Sequence, residues 1–438
     1  MANHNKTVGI YTLGCKVNQY ESEAIGELLE ARGYTLASLH APCDVYIVNT
    51  CTVTAESDRK VRQTIRRLIA KNPSALVLVT GCLAQTAPEA LARIDGVDYI
   101  GGNANKLSLA DAIDRLFASG GKPPRPEICV SSLDGAAFEC MHIKKFDRTR
   151  AYLKIEDGCE SHCTYCIIPQ ARGGIRSKRP DDVIAEVKEL TAGGCREIVL
   201  TGIETASYGK DLDGYTLADL LEEIDRIPNI GRVRLGSLDP SLIKQPFVDR
   251  IASLRSLAPH FHLSMQSGSD HVLHLMKRKY NAAMALESIE RLRRAIPQVM
   301  LTTDMIVGFP SETEEDFEET LRFAERAAFL MIHVFPYSGR RGTPAAAMNG
   351  QIPMEIRRER AARLSALEAE ICQKLLEKEL RERPLQSVLF EECKNGIAVG
   401  HTPSFIEVRV NTSEDLRGQT ARVRFLRIDG RAVTAEIT

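Results

Sequence analysis

The chain has no tryptophan, only 5% aromatic residues, almost no net charge (−1, from 57 basic and 58 acidic side chains) and no long apolar run. Its longest apolar stretch, around Ala75 to Val79, falls far short of the roughly 20 residues needed to cross a bilayer, so no membrane span is expected. The opening MANHNKTVGIYTLGC is polar and then alternates like a strand; without the apolar centre of a signal peptide it predicts a cytosolic protein. The near-zero charge removes any global drive toward nucleic acid, so such a partner would have to be held by local basic patches. With 44% hydrophobic and 26% charged residues, disorder, collagen and coiled coil are excluded as whole-chain architectures. At roughly 100 to 200 residues per domain, 438 residues predict two to four domains.

What the chain does have is cysteine, twelve in all. A reducing cytosol disfavours a disulfide framework, which leaves packed thiols, redox chemistry or metal binding.

From residue 7 to about 120, strand runs (VGIYTL, DVYIVNT, ALVLVTG) alternate with amphipathic helices such as AESDRKVRQTIRRLIAK, which implies an open parallel α/β sheet covered on both faces. The segment 123–145, rich in Pro, Gly and Ser, reads as a linker. A second series follows, with strands AYLKIE, EIVLTGI, RVRLGSL, HFHLSMQ, LTTDMIVGF and MIHVFPYS between helices. Six strand-helix units suit a complete or partial α/β barrel over 146–371, with its active site where the strands end. Beyond the charged helix MEIRRERAARLSALEAEICQKLLEKELRER come short strands only, and 372–438 is expected to hold a small β-barrel, a shape often used for oligonucleotides. Seven basic and seven acidic residues balance over 384–438, although Arg422, Arg424 and Arg427 could share a face.

Cys159, Cys163 and Cys166 form DGCESHCTYCIIPQARG, a CxxxCxxC loop just after a strand. Three thiolates there can hold three irons of a cubane [4Fe-4S] cluster and leave the fourth open to an outside ligand. A zinc site completed by His162 or a distant cysteine is the alternative. Cys15, Cys51 and Cys82 are far apart in sequence, yet each follows a strand and precedes a helix. Such positions share one edge of a parallel sheet, so the three can converge there as a second three-thiolate cluster site, or can be buried structural cysteines.

CxxxCxxC with an aromatic before its last cysteine, at the start of an α/β barrel, resembles the radical S-adenosylmethionine (SAM) superfamily. The resemblance implies that the open iron takes the amino and carboxylate groups of SAM and that SAM is cleaved to a 5′-deoxyadenosyl radical. With the N-terminal cysteines and the C-terminal β domain, taken as a TRAM-like barrel, essentially the whole chain resembles the methylthiotransferase family of radical SAM enzymes. Within it, TLGCKVNQYES is most similar to the MtaB-type tRNA threonylcarbamoyladenosine branch; the isopentenyladenosine branch usually has a glutamine-asparagine variant there, and the ribosomal-protein branch a proline-lysine variant.

What the resemblance implies is specific. N6-threonylcarbamoyladenosine at tRNA position 37 becomes its 2-methylthio derivative, with one SAM supplying the radical and another the methyl group. Cys159, Cys163 and Cys166 hold the SAM-cleaving cluster, and Cys15, Cys51 and Cys82 hold an auxiliary [4Fe-4S] cluster. Thr201, Gly202 and Glu204 meet the SAM amino group, Ile306, Gly308 and Pro310 form a platform for the adenine, and Ser237 and Gln266 line the pocket. Asp304, Ser237 and Gln266 could equally be polar packing inside the barrel. Glu204 departs from a commoner histidine and HLSMQSGSD from a commoner HLPLQSGSD. Expected partners are a tRNA anticodon stem-loop, an electron donor such as flavodoxin or ferredoxin, and a sulfur donor. The basic runs Arg172, Arg176, Lys178, Arg179 and Lys277, Arg278, Lys279 are candidates for RNA phosphate, or are simply solvated. Two other functions stay open: the same chemistry on isopentenyladenosine or a ribosomal protein, and a non-catalytic iron-sulfur sensor that binds RNA.

Overall fold

The computed structural model describes residues 6–146 and 149–438. Strands β1 (Thr7–Thr12), β2 (Thr35–Leu36), β3 (Val45–Thr50), β4 (Leu76–Gly81), β5 (Tyr99–Gly101) and β6 (Glu127–Cys129) make one parallel sheet in the order β2-β1-β3-β4-β5-β6. Between them run α1 (Lys16–Ala31), α2 (Ala55–Lys71), α3 (Cys82–Thr86), α4 (Pro88–Ala92) and α5 (Ser108–Ala118). β3 and β4 are buried along their whole length, as the continuous β-branched runs require of a sheet covered on both faces. The segment 123–145 is more than a linker: it supplies β6 as an edge strand and inserts Met141 and Ile143 into the next domain's core.

The second series contains β7 (Arg150–Lys154), β8 (Glu156–Asp157), β9 (Arg176–Ser177), β10 (Glu197–Thr201), β11 (Arg232–Leu235), β12 (Ser237–Leu238), β13 (His260–Gln266), β14 (Met300–Val307) and β15 (Met331–Pro336). β11-β10-β7 and β12-β13-β14-β15 are both parallel, and β11 and β12 are consecutive pieces of one chain run. Together they form a six-strand partial barrel. Its helices are α6 (Ile168–Arg172), α7 (Pro180–Ala192), α8 (Leu217–Asp225), α9 (Gln245–Ile251), α10 (Asp270–Leu275), α11 (Ala282–Ala295) and α12 (Glu314–Ala327). α8 and α12 both start on a reciprocal capping box, Thr216 with Asp219 and Thr313 with Asp316. Along β13 and β14 the outward residues are fully buried under the helices, whereas His262, Ser264, Gln266, Asp304 and Ile306 on the other face are only half-buried. The barrel interior is therefore a polar lumen open to solvent.

α1 lies against β7, and its Tyr20 and Ala24 join the barrel core. α13 (Met354–Glu382) packs on the opposite edge strand, β15, and runs unbroken across the expected 371/372 boundary. After it, β16 (Leu385–Lys394), β17 (Ile397–His401), β18 (Glu407–Asn411), β19 (Thr420–Asp429) and β20 (Ala432–Ile437) close a small barrel in the order β16-β17-β18-β20-β19. No helix among the described residues is long and apolar enough to cross a membrane.

Candidate functional site

The CxxxCxxC loop leaves the carboxyl end of β7. Gly158 is left-handed (φ 94°), and a Cβ there would lie 1.9 Å from the Gly174 carbonyl oxygen, so only glycine lets the loop pack against 173–174. Cys159 N–H then donates to Gly173 O (3.0 Å), and Cys166 N–H donates to Cys163 O (3.0 Å), closing a tight turn. Each sulfur receives a donor: Ser161 N–H on Cys159 (3.4 Å), Ile168 N–H on Cys166 (3.4 Å) and the Arg278 guanidinium on Cys163 (3.3 Å). Donors aimed at sulfur suit anionic ligand sulfurs and tune a cluster they hold. Burial pushes the Cys159 thiol up to about 12, helped by the Glu204 carboxylate, and Cys166 up to about 11. Metal binding there would displace protons.

Beside this loop, Thr201 is buried at the end of β10 and Glu204 reaches back to it: Cys159 Sγ and Ser161 Oγ both donate to Glu204 Oε2 (3.2 and 3.3 Å). Glu204 N–H donates to Glu156 Oε2 (2.8 Å), next to Gly202. Glu156 is fully buried with its other oxygen unpaired, and burial raises its pKa well above the ordinary range. Ser237 and Gln266 are half-buried on the lumen side, Gln266 in a left-handed conformation (φ 65°); Ile306 faces the lumen, and Gly308 and Pro310 follow it buried.

Cys15, Cys51 and Cys82 come together at the carboxyl edge of the N-terminal sheet. Asn18 stitches two strand ends by donating to Leu13 O (2.7 Å) and Thr50 O (3.0 Å), and Thr50 Oγ1 ties the third by donating to Thr80 O (2.6 Å) and accepting from Leu83 N–H (3.1 Å). Left-handed Gly14 (φ 106°) lets the Cys15 turn approach Cys51, since a Cβ would lie 2.7 Å from Cys51 Cβ. Burial raises the Cys15 and Cys51 thiols, Cys51 to about 11, and the neighbouring triad sulfurs add to that rise. Here too donors face sulfur, with Arg172 Nε and Asn103 Nδ2 on Cys82 (3.3 and 3.7 Å). Among the described residues no three Cys, His, Asp or Glu converge on a single metal ion. Ligands on separate corners of a cubane stand further apart than ligands of one ion, so both triads remain compatible with clusters. The other six cysteines, Cys43, Cys129, Cys140, Cys195, Cys372 and Cys393, are free thiols outside both triads.

One side chain joins the two triads. Arg172, at the end of the α6 turn that follows Cys166, is fully buried between Cys82, Glu21, Asp157 and Asn18. Burial alone would raise the Glu21 carboxyl, but Arg172, Lys106 and Lys154 hold it well below the usual range. A second clamp sets Arg340, after β15, against Asp58 (2.8 Å) and Thr52 beside Cys51.

The far end of the lumen is closed by Phe405, from the turn between β17 and β18. Its left-handed backbone (φ 75°) is unusual for a bulky residue, and its ring is stacked between His260 (4.5 Å) and His401 (4.7 Å) with Arg150 and Arg234 against it.

The expected RNA-contacting runs are corrected. Arg172, Arg176 and Lys178 are buried in ion pairs, Arg172 with Glu21 of the N-terminal domain and with Asp157, Arg176 with Asp157 and Lys178 with Glu186, and Arg278 is spent on Cys163, Asp239 (2.8 Å) and Ser264 O; only Arg179, Lys277 and Lys279 are exposed. Arg422 and Arg424 do point outward on β19, and a bulge between Phe425 and Arg427 leaves Arg427 exposed as well. Sequence reasoning missed Glu156 and the sulfur-directed roles of Arg172 and Arg278. A basic residue near cysteines was the available signal, but it looks the same whether the side chain points to solvent or to sulfur.

Residues 153–324 match the family model described as Radical SAM superfamily, and residues 7–102 match Uncharacterized protein family UPF0004. The threonylcarbamoyladenosine tRNA methylthiotransferase MtaB of Bacillus subtilis (strain 168) is 40% identical over 96% of this chain and 94% of that protein. The tRNA-2-methylthio-N(6)-dimethylallyladenosine synthase of Moorella thermoacetica is 38% identical over 85% of this chain and 84% of that protein. Among solved structures, the radical S-adenosylmethionine methyltransferase TsrM from Kitasatospora setae superposes with a TM-score of 0.56 at 17% identity, over 78% of this chain and 75% of that one, a likeness of fold alone.

Proposed function

The chain belongs to the tRNA methylthiotransferase family of radical SAM enzymes, and from that premise we propose that it converts N6-threonylcarbamoyladenosine at tRNA position 37 to 2-methylthio-N6-threonylcarbamoyladenosine. The observation that supports this most is the pair of cysteine triads, with hydrogen-bond donors on all three loop sulfurs and on Cys82, where Arg172 from the turn after the loop meets the N-terminal triad. The adenine C2–H bond is too weakly acidic for any side chain to deprotonate at neutral pH, so proton transfer cannot start the reaction. When bound, the [4Fe-4S] cluster and SAM supply the radical chemistry that such a bond requires.

The chain's own residues then hold, orient and exclude. Cys159, Cys163 and Cys166 would hold the SAM-cleaving cluster, and Cys15, Cys51 and Cys82 would hold an auxiliary cluster, which would supply the sulfur chemistry. Thr201, Gly202 and Glu204 accept the SAM amino group, with Glu204 itself fixed through Glu156. Ser237, Gln266 and the turn from Ile306 through Gly308 to Pro310 seat the nucleoside part of SAM. The Phe405 plug keeps bulk water from entering through the far end of the lumen.

Residues 1–122 carry the auxiliary site, 123–145 connect it and add β6 to its sheet, 146–371 form the radical SAM barrel, α13 carries the chain across 371/372, and the strands from Leu385 onward form a TRAM-like domain that meets the anticodon stem-loop with Arg422, Arg424 and Arg427. A cytoplasmic setting supplies tRNA, an electron donor such as flavodoxin or ferredoxin, and a sulfur donor. Nucleoside analysis of tRNA from cells with and without the gene tests the substrate: loss of 2-methylthio-N6-threonylcarbamoyladenosine is expected. An unchanged level, or loss of the dimethylallyl counterpart instead, overturns it.

A further inference from the structure

The face of the barrel that meets the N-terminal triad buries more positive charge than negative. From the barrel come Lys154 on β7, Arg172 at the end of α6 and Arg176 on β9, with Asp157 on β8 as the one carboxylate on that side that pairs with them; all four are buried. From the N-terminal domain come Glu21 on α1 and Lys106, which are buried, pair with each other and cancel. Glu21 also accepts from Lys154 (2.8 Å) and Arg172 (2.5 Å), so two carboxylates serve four cations. Among the described residues no other carboxylate pairs with any of the four. The nearby Glu139 is spent on the backbone N–H groups of Lys106 and Leu107 (3.0 and 2.8 Å), and burial holds Glu156 toward its neutral form. The shortfall shows at Arg176, whose contact with Asp157 is 3.4 Å long and whose buried Nη1 finds no partner.

This surplus borders the triad. Arg172 Nε donates to Cys82 Sγ (3.3 Å), and Lys106 donates to Asn49 Oδ1 (3.3 Å), an atom that a Cβ on Gly81, the residue before Cys82, would strike at 2.6 Å. Burying cations without matching anions is unfavourable, so the interface is incomplete until an anion joins it. Three thiolates outweigh the positive charge of a [4Fe-4S] core, and one-electron reduction adds a further negative charge. We propose that a cluster on Cys15, Cys51 and Cys82 is the counterion of this cationic face, so that loading it docks the N-terminal domain onto the barrel and the face in turn favours the reduced cluster. The inference rests on the cysteine assignment proposed above and is independent of which base is modified. The loop triad has no such surplus: the cation at its sulfurs, Arg278, is already paired with Asp239 (2.8 Å).

The test uses the full chain, free of iron and after anaerobic reconstitution, read by hydrogen exchange along α1 and residues 171–178. Reconstitution should slow exchange in both segments by about tenfold or more. Cys163→Ala, which keeps the N-terminal cluster, should stay slow, whereas Cys51→Ala, which keeps only the loop cluster, should exchange as fast as the iron-free chain. The charge itself is read in the Cys163→Ala background by a redox titration followed by electron paramagnetic resonance. There Arg176→Met should make reduction about tenfold less favourable, a fall of about 59 mV for one electron. Lys106→Met should shift the potential the same way, and Arg176→Lys should leave it in place. Equal exchange with and without iron, or equal exchange in Cys51→Ala and Cys163→Ala, overturns the docking role. A potential that stays put or rises in both Met variants overturns the counterion. If Cys51→Ala keeps the full iron content of the unmodified chain, the cysteine assignment itself fails, a result read from iron analysis alone.

Discussion

Cys159, Cys163 and Cys166 lie in one short loop and are arranged by local chain geometry: a left-handed glycine, a closed turn and two backbone N–H groups that serve the sulfurs. Cys15, Cys51 and Cys82 come from three separate strand ends, and side chains do the arranging, with Asn18 and Thr50 holding the ends together and Arg172 and Asn103 serving Cys82. The first site depends on the loop and the second on the domain. A cluster in the loop draws mainly on the β7 exit, with Arg278 as a distant donor, whereas one in the N-terminal domain needs the sheet, α1 and the barrel interface in place together. Arg172 makes the two interdependent, because it ends the α6 turn that follows one triad and lies against a sulfur of the other.

The largest effects should separate the two triads outright. Cys163→Ala is expected to abolish 5′-deoxyadenosine formation, whereas Cys51→Ala keeps SAM cleavage and loses methylthio product; each variant should fall from about eight irons per chain to about four. Identical chemical outcomes for the two variants would break the distinction. Next in size, Arg172→Met leaves Glu21 and Asp157 short of a buried cation, an effect of about 3–5 kcal/mol on unfolding, and should weaken iron retention at the N-terminal triad. Denaturant titration and iron analysis measure the two consequences.

Gly158→Ala forces a Cβ into the Gly174 carbonyl in a left-handed conformation, a strain of about 1–3 kcal/mol before the clash is relieved. It should empty the loop site while the N-terminal site keeps its iron. The smallest effect is a control at the third interface, where Glu391 meets His401 and Arg150. Burial opposes ionisation of Glu391, but the hydrogen bond with His401 and the Arg150 guanidinium hold its carboxyl down to about 2. A depressed carboxylate stabilises above its unfolded pKa and loses that contribution as pH falls through the native value. Stability should therefore decline between the ordinary glutamate range and about pH 2. With the Glu391 side chain 23% exposed, Glu391→Gln should flatten that slope by on the order of 1 kcal/mol and leave both iron sites intact.

Much of this architecture is readable along the chain. The six barrel strands, the long helix at Met354–Glu382 and the five strands of the small barrel all follow from periodicity and turn residues. Strand β6 was missed because three residues, two of them exposed, carry too little pattern to stand out from a Pro- and Gly-rich stretch. The basic runs misled for a related reason. Arg172, Arg176 and Lys178 have the composition of a phosphate-binding surface, but burial is decided by what folds onto them, here Glu21, Asp157 and Glu186.

Hydrophobic period, turn chemistry and cysteine placement are local properties, so the sequence by itself determined the order of elements, the loop triad and the strand-end positions of the other three cysteines. Whether those three strand ends meet and which arginines face sulfur rather than solvent depend on contacts between residues far apart in the chain. Only the tertiary structure decided them, because the free energy of a charged side chain is set by the partners and the water left around it after the domains have packed.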